Sequence, residues 1–563
     1  MAKYIMFQGT SSHVGKSILA TAFCRIFARE GLKTVPFKAQ NMALNSFVTP
    51  DGGEIGRAQA VQAEAAGLIA ETDMNPVLLK PAGNCRSQVI INGVPVGNMS
   101  AEEYHLSYSL KAFEAVKTAL TRLDKEYDMI VLEGAGSPAE INLKNTDIVN
   151  MRVAEYVHAP VFLVADIDRG GSLAALVGTL ELLDEAERDL VKGLIINKFR
   201  GDPRLFDSAV RFLEEKTGKP VIGIMPYISD LGIDEEDSVS LAEMLREPEE
   251  KDLKIAVVRT PRISNFTDFD SLASEEDVSL YYAQEPEALA AADIILLPGT
   301  KNTIDDMFWL RESGMEQAVL TARRQGVLIG GICGGYQMLG RKISDPDGVE
   351  AAHESVDGLN FLPMETVFKG EKITAQVHCR CCRFSVYDSV IDCNDMKGYE
   401  IHMGRSVFSA PVSRPFAAVS RRGRRCDDPV GASLDGTVFG TYVHGIFDND
   451  GFRRAFLNAV RIHKGLQPIT AGRHYRGEKE KILKVDIEID DKTENFVIDF
   501  ILKTLFGNKN LVEFYKEIIK DSLDRLAYPS IKNEVRNIYT EKAEEEAINI
   551  FSENLEKLLL QLP

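Results

Sequence analysis

Two short runs carry the chemistry of this sequence, and neither is complete alone. After the apolar run YIMFQ, residues Gly9 to Ser17 read GTSSHVGKS and open a helix at Ser17. Gly9, Thr10 and Gly15 offer successive backbone N–H groups to phosphate oxygens, Lys16 adds a point charge for the outer phosphates, and the Ser17 hydroxyl suits Mg2+. Five residues separate Gly9 from Gly15, where the Walker pattern has four. The second run, GGICGGYQMLG, sets Cys333 on a sharp turn between a strand and a helix, with Gly330, Gly331, Gly334 and Gly335 as the small neighbours such a turn needs. A cysteine at a helix N-terminus is biased toward thiolate. A phosphate loop implies nucleotide chemistry and a cysteine elbow implies acyl transfer. One chain carrying both points to ATP spent on ammonia taken from glutamine.

Each run needs partners. His444, at the end of GTVFGTYVH, is the expected general base and acid for Cys333. The Gly334 N–H is the expected oxyanion donor, with a second donor from the loop after IILLPGT, near Gly299 and Thr300. On the phosphate side, Glu133 ends the buried run MIVLE, where a carboxylate can complete a Mg2+ shell with Ser17. Lys38, after TVPF, suits an acyl phosphate or a substrate carboxylate, with a plain surface lysine an equal reading. Asn197 suits an adenine edge, with a turn-capping role as the alternative. The cluster HCRCC has no second paired-ligand knuckle and reads as reduced strand cysteines, Cys379 and Cys381 on one face and Cys382 on the other.

The elements that must position these groups follow from the apolar pattern. From Tyr4 to about Pro226, YIMF, TVPF, MIVLEG, VFLVAD, GLIINK and VIGIMP alternate with amphipathic stretches, the pattern of a parallel sheet covered by helices. The charged run REPEEKDLK breaks the rhythm, and KIAVVRT, IILLPGT, VLIGGIC and TVFGTYVHG begin a second α/β series. The expected division is residues 1–248, 249–472 and a helix-rich tail, 473–563. At 563 residues the chain exceeds a single core. Its 45% hydrophobic and 26% charged content is that of a globular protein, and a net charge of −19 argues against nucleic acid or anionic membrane as partner. The N-terminal residues lack a signal-peptide pattern and no apolar run is long enough to span a bilayer, so the expected location is the cytoplasm, where the eight cysteines stay reduced.

The loop G-T-x5-G-K-S with EGAG resembles the dethiobiotin synthetase branch of P-loop proteins. Together with FKAQNMALNS, EIGRAQAVQA, NPVLLKP, SQVIINGVPVG, EGAGSPAEINL, ADIDRGG and INKFRGD, it resembles the cobyric acid synthases, glutamine-dependent amidases of cobalamin synthesis, from Lys3 to about residue 470. The resemblance implies a class I glutamine amidotransferase-like second domain. It also implies ATP, Mg2+, glutamine and a corrinoid as ligands, and amidation of adenosylcobyrinic acid a,c-diamide at its b, d, e and g propionates. Amidotransferases of this class commonly place a Glu two residues after the histidine. Here that residue is Ile446, as in the resembling branch, which leaves the group orienting His444 open. KGYEIHMGRS also matches, and its expected loop position suggests glutamine binding or domain contact, with no catalytic role for His402. Two rivals stand beside this reading: a cobyrinic acid a,c-diamide synthase, and a P-loop regulatory protein with an inactive glutaminase domain.

From about His474 the texture changes. HYRGEKEKILKVDIEID and the run from LAYPSIKNEV to the end resemble the middle of the transcription accessory protein Tex, without its nuclease-like fold or S1 domain, so no RNA function is carried over. Ala547, Phe551, Leu555, Leu558 and Leu562 fall on one expected apolar helix face.

Overall fold

In a computed structural model, the structure describes residues 1–83, 86–228, 249–351 and 353–470, with 472, 474, 475 and 477. The Tex-like run, beyond residues 474, 475 and 477, and its apolar helix face lie outside the described residues.

Strands Met129–Glu133 and Val161–Asp166 are buried along their whole length, as expected of strands covered on both faces. They belong to a six-stranded sheet ordered Val221–Pro226, Val191–Phe199, Val161–Asp166, Lys3–Gly9, Met129–Glu133 and Thr34–Phe37, parallel throughout. All six strands are the ones the apolar pattern predicts. Because every strand runs the same way, the loop after Gly9, Lys38 and Glu133 all emerge at one carboxyl edge, where parallel sheets place ligands. One apolar core covers each face of the sheet. A smaller four-stranded sheet, from Gln40–Met42, Val77–Gly83, Arg86–Ile91 and Val94–Ser100, stands beside it and was not legible from the pattern.

A second six-stranded sheet is ordered Val278–Ala283, Leu253–Val258, Ile294–Leu297, Leu328–Ile332, Val438–Thr441 and Gly431–Leu434. Only its last pair is antiparallel. Against it lies a feature that the sequence pattern missed, a long hairpin of Met364–Val386 and Ser389–Phe408. Exposed positions recur along the first strand, so the hairpin keeps one face toward water, unlike the fully buried parallel strands. KGYEIHMGRS therefore lies within a strand and not in a loop. That strand pairs with the short strand Val443–His444, setting Tyr399 opposite His444. Cys379 and Cys381 are buried and Cys382 is exposed, as strand alternation requires. No helix among the described residues is long and apolar enough to cross a membrane.

Candidate active site

Strand Leu328–Ile332 delivers Cys333 to the carboxyl edge of the second sheet, and helix Gly334–Met338 starts at the next residue. To reverse direction there, Cys333 adopts φ 52° and ψ −104°, a conformation costing a non-glycine residue about 1–3 kcal/mol. The bond from Cys333 N–H to the Thr441 carbonyl (2.8 Å) and that from Gln337 N–H to the Cys333 carbonyl (3.1 Å) hold it in place. The thiol is buried, with Sγ 3.6 Å from the Ile401 carbonyl oxygen on the long hairpin.

His444 follows the adjacent strand Val438–Thr441, on the short strand Val443–His444 that pairs with the hairpin, and is fully buried. Its Nδ1 lies 2.7 Å from Oδ2 of Asp268, and Oδ1 of Asp268 accepts the Gly445 N–H at 2.9 Å. The second contact fixes the carboxylate, and the first fixes the ring. With Nδ1 committed to Asp268, Nε2 is the nitrogen left for chemistry, and it has no other hydrogen-bond partner among the described residues. The Tyr399 ring stacks over the imidazole at 5.0 Å and 13°, closing its other side. Burial works against charge on the ring, but the Asp268 carboxylate and the Cys333 sulfur prevail and push its pKa up to about 10. The ring therefore favours its protonated form beside Cys333.

Asp268 is the residue that sequence reasoning missed. It lies 176 residues before the histidine it orients, on a 3-10 turn, Phe266–Phe269, following the first strand of the second sheet. The available signal was an acid in SNFTDFD beyond a strand's carboxyl end, but nothing in the spacing separates Asp268 from Asp270.

The expected oxyanion donors lie together. Gly334 supplies the first N–H of its helix, and a Cβ on that glycine would sit 3.0 Å from the Thr300 nitrogen. Gly299 packs against the imidazole, its Cβ position 3.1 Å from His444 Cε1. Its carbonyl accepts the Ser264 N–H, and Lys301 N–H reaches the Arg262 carbonyl, which pins the loop on both sides of Thr300.

The phosphate side is built around one carboxylate. Glu133, 1% exposed, accepts from Ser17 Oγ (2.8 Å) and Lys38 Nζ (2.9 Å) on Oε1, and from Gln62 Nε2 (2.6 Å) on Oε2. Burial opposes its charge, yet Lys38 and the three donors hold it below the usual carboxylate range. Lys38, the ambiguous lysine of the sequence, is buried and paired here. Lys16 Nζ bridges the Ser11 and Gly136 carbonyls at 2.9 and 3.2 Å, spanning the phosphate loop and the EGAG turn. Thr10 N–H bonds the Val164 carbonyl, anchoring the loop to the neighbouring strand. Gly15 has φ 98°, and a Cβ there would come within 2.0 Å of Asn197 Nδ2. Asn197 donates to the Val14 carbonyl at 2.8 Å, bracing the loop from the side where an adenine contact was expected.

The two domains meet at a polar seam. Lys372 on the hairpin donates to Glu54 (2.5 Å) and Gln88 (3.1 Å), and Lys80 donates to the same Glu54 at 2.8 Å. Burial works against the Glu54 charge, but the two lysines hold its carboxyl far below the ordinary range. Buried ion pairs stabilise little, because desolvation offsets their attraction, but they fix which surfaces meet.

Comparison with known proteins covers both halves. Residues 5–241 match the CobQ/CobB/MinD/ParA nucleotide binding domain, and residues 254–452 match the CobB/CobQ-like glutamine amidotransferase domain. The chain is 53% identical over 467 residues to the cobyric acid synthase of Pelotomaculum thermopropionicum, covering 83% of this chain and 89% of that one. It is 50% identical over 487 residues to the enzyme of that name from Moorella thermoacetica, covering 86% and 94%. To that of Carboxydothermus hydrogenoformans it is 51% identical over 470 residues, covering 83% and 93%.

Proposed function

The chain belongs to the cobyric acid synthase family, and on that premise we propose how its residues divide the work of an ATP-dependent, glutamine-hydrolysing amide ligase. The reaction is amidation of the b, d, e and g propionates of adenosylcobyrinic acid a,c-diamide. The observation that carries the assignment is identity of about half the residues to cobyric acid synthases along both domains.

In the second domain, residues 249–472, Cys333 Sγ attacks the glutamine carboxamide carbon. The N–H groups of Gly334 and the Gly299–Thr300 loop receive the developing oxyanion, where preorganised donors contribute most. The His444 imidazolium gives its proton to the departing nitrogen, ammonia leaves, and a thioester remains. His444, now neutral, takes a proton from water, whose oxygen displaces the sulfur and releases glutamate. Asp268 holds the ring in the tautomer both steps require.

In the first domain, residues 1–248, the N–H groups of Gly9 and Gly15 cradle the ATP phosphates, Thr10 holds the loop to the neighbouring strand, and Lys16 neutralises the outer phosphates. Asn197 lies beside the loop for the adenine edge. A propionate oxygen attacks the terminal phosphorus, ADP leaves, and ammonia then attacks the acyl phosphate carbon to give the amide and phosphate. Lys38 draws the substrate carboxylate or acyl phosphate to this edge.

Ser17 and Glu133 are oxygen donors in mutual contact, one of them an ionised carboxylate, and this set fits Mg2+. Bound there, Mg2+ would screen phosphate charge and orient the terminal phosphate. We place the enzyme in the cytoplasm, acting on small molecules.

The test is glutamate release and amide formation measured together with ATP, glutamine and the corrinoid diamide. Amidation restricted to the a and c positions would move the chain to the diamide synthases. ATP turnover that no corrinoid stimulates would end the synthetase reading.

A further inference from the structure

Contacts across the seam join the long hairpin to the segment 46–56, as Lys372 does with Glu54 and Gln376 Nε2 with the Val48 carbonyl, and to Gln88, which accepts from the same Lys372. One reciprocal pair reaches the turn that carries Asp268. Asn45 Oδ1 accepts the Phe266 N–H at 3.1 Å, and Asn265 Oδ1 accepts the Ser46 N–H at 3.1 Å. Each sheet system thus satisfies a backbone donor of the other with a side-chain amide. The clasp is buried, Asn45 being 1% and Asn265 2% exposed, so loss of either acceptor strands a donor away from water. Asn265 has φ 52° and ψ 41°, a left-handed conformation that asparagine tolerates better than most residues.

What the clasp grips decides its meaning. Asn265 is the N-terminal cap of the turn Phe266–Phe269, and its carbonyl accepts the Asp268 N–H at 3.0 Å. The acid that orients His444 is therefore fixed, one turn away, by a residue of the other domain. From Ser46 the contacts continue inward: its hydroxyl bonds Glu54 and Lys80 at 2.9 Å each. Beyond the Glu54–Gly56 strand, Asn75 accepts the Gly56 N–H and donates to the Lys38 carbonyl, both at 2.9 Å. Lys38 is the lysine on Glu133. Buried polar contacts, linked by the backbone of the Glu54–Gly56 strand and by Lys38 itself, connect Asp268 to the phosphate-side carboxylate.

We propose that Asn45 and Asn265 are positioning residues through which the synthetase domain sets Asp268, and with it His444, so that glutamine hydrolysis depends on the seated domain seam. The proposal rests on the Cys333–His444–Asp268 assignment. The clasp reaches Asp268 only through the turn Phe266–Phe269, so it acts on turnover and not on glutamine affinity.

The experiment compares glutamine-driven with ammonia-driven amidation in the full chain. Asn45→Ala should lower kcat with glutamine roughly tenfold, a coupling of ordinary size between packed sites. KM for glutamine and the ammonia-driven rate should not move. Asn45→Asp keeps an acceptor oxygen for the Phe266 N–H and should restore most of the loss. An unchanged ratio of the two rates in Asn45→Ala, whether both hold or both fall together, overturns the proposal, as does failure of Asn45→Asp to restore it. Asp268→Ala separates the two readings. If it abolishes glutamine use while Asn45→Ala spares it, the clasp falls alone, and if it leaves glutamine use intact, the triad assignment falls.

Discussion

The two reactive edges of this molecule are built by opposite routes. On the phosphate side, Gly9 to Ser17 is one contiguous loop, and its companions Lys38 and Glu133 end strands of the same parallel sheet. On the glutaminase side, Cys333, His444 and Asp268 come from three distant segments, one of them held in a strained conformation. Phosphate binding is met by many equivalent backbone donors, so local sequence suffices. Proton transfer needs two or three particular atoms at hydrogen-bond distance, which only tertiary structure supplies.

Substitutions can break this contrast. The largest effect is expected from Cys333→Ala: glutamine-driven amidation should fall by about 10^6-fold, as for loss of a catalytic nucleophile, while ammonia-driven amidation persists. If ammonia-driven amidation vanished as well, the two edges would not be separable. Asp268→Asn should follow, lowering glutamine-driven turnover by about 10^4-fold, because an amide stabilises the wrong tautomer. A normal glutamine rate in that variant would return the orienting role to some other group. Lys16→Ala should behave differently in kind, reducing glutamine- and ammonia-driven rates in parallel by roughly 10^2–10^3-fold. Unequal losses would show that Lys16 also serves the glutaminase.

The smallest effects concern pH, and there the two edges should respond in opposite directions. The pKa of His444 is raised in the fold, so its contribution to stability is complete below about pH 6.5 and declines as pH rises toward 10. That of Glu133 is lowered, so its contribution is present above about pH 4.5 and is lost on acidification through its folded value. Trp309, the single tryptophan, lies on helix Thr303–Glu312 of the second domain, so its fluorescence reports unfolding there. The urea midpoint it reports should fall from pH 6.5 to pH 9, and Asp268→Asn should flatten that fall. An unaltered slope in the variant would remove Asp268 as the cause.

The same contrast governs what could be read without a structure. All six strands of the first sheet were legible, because burial on both faces leaves unbroken apolar runs such as VFLVAD. The long hairpin was not, since its exposed and buried positions mix polar and apolar residues without clean alternation, and HCRCC and KGYEIHMGRS drew attention as motifs instead of as strand. Cys333 and His444 were legible because glycines and a strand end frame them. Asp268 was not, because an acid in a turn is common and its partner lies 176 residues away. Lys38 was ambiguous for the same reason: only the folded sheet brings it to Glu133.

That separation also sets when the enzyme can begin to act. As the chain is synthesised its phosphate loop is complete by Ser17 and the Glu133 strand follows within the first domain, but His444 appears only near the end of the second domain. Cys333 emerges well before His444, the histidine proposed to serve it. No nascent or truncated chain ending before residue 444 can hydrolyse glutamine by this route, while one that retains the first domain still holds the parts for spending ATP. Synthesis past residue 444 is thus the condition for hydrolysing glutamine by this route.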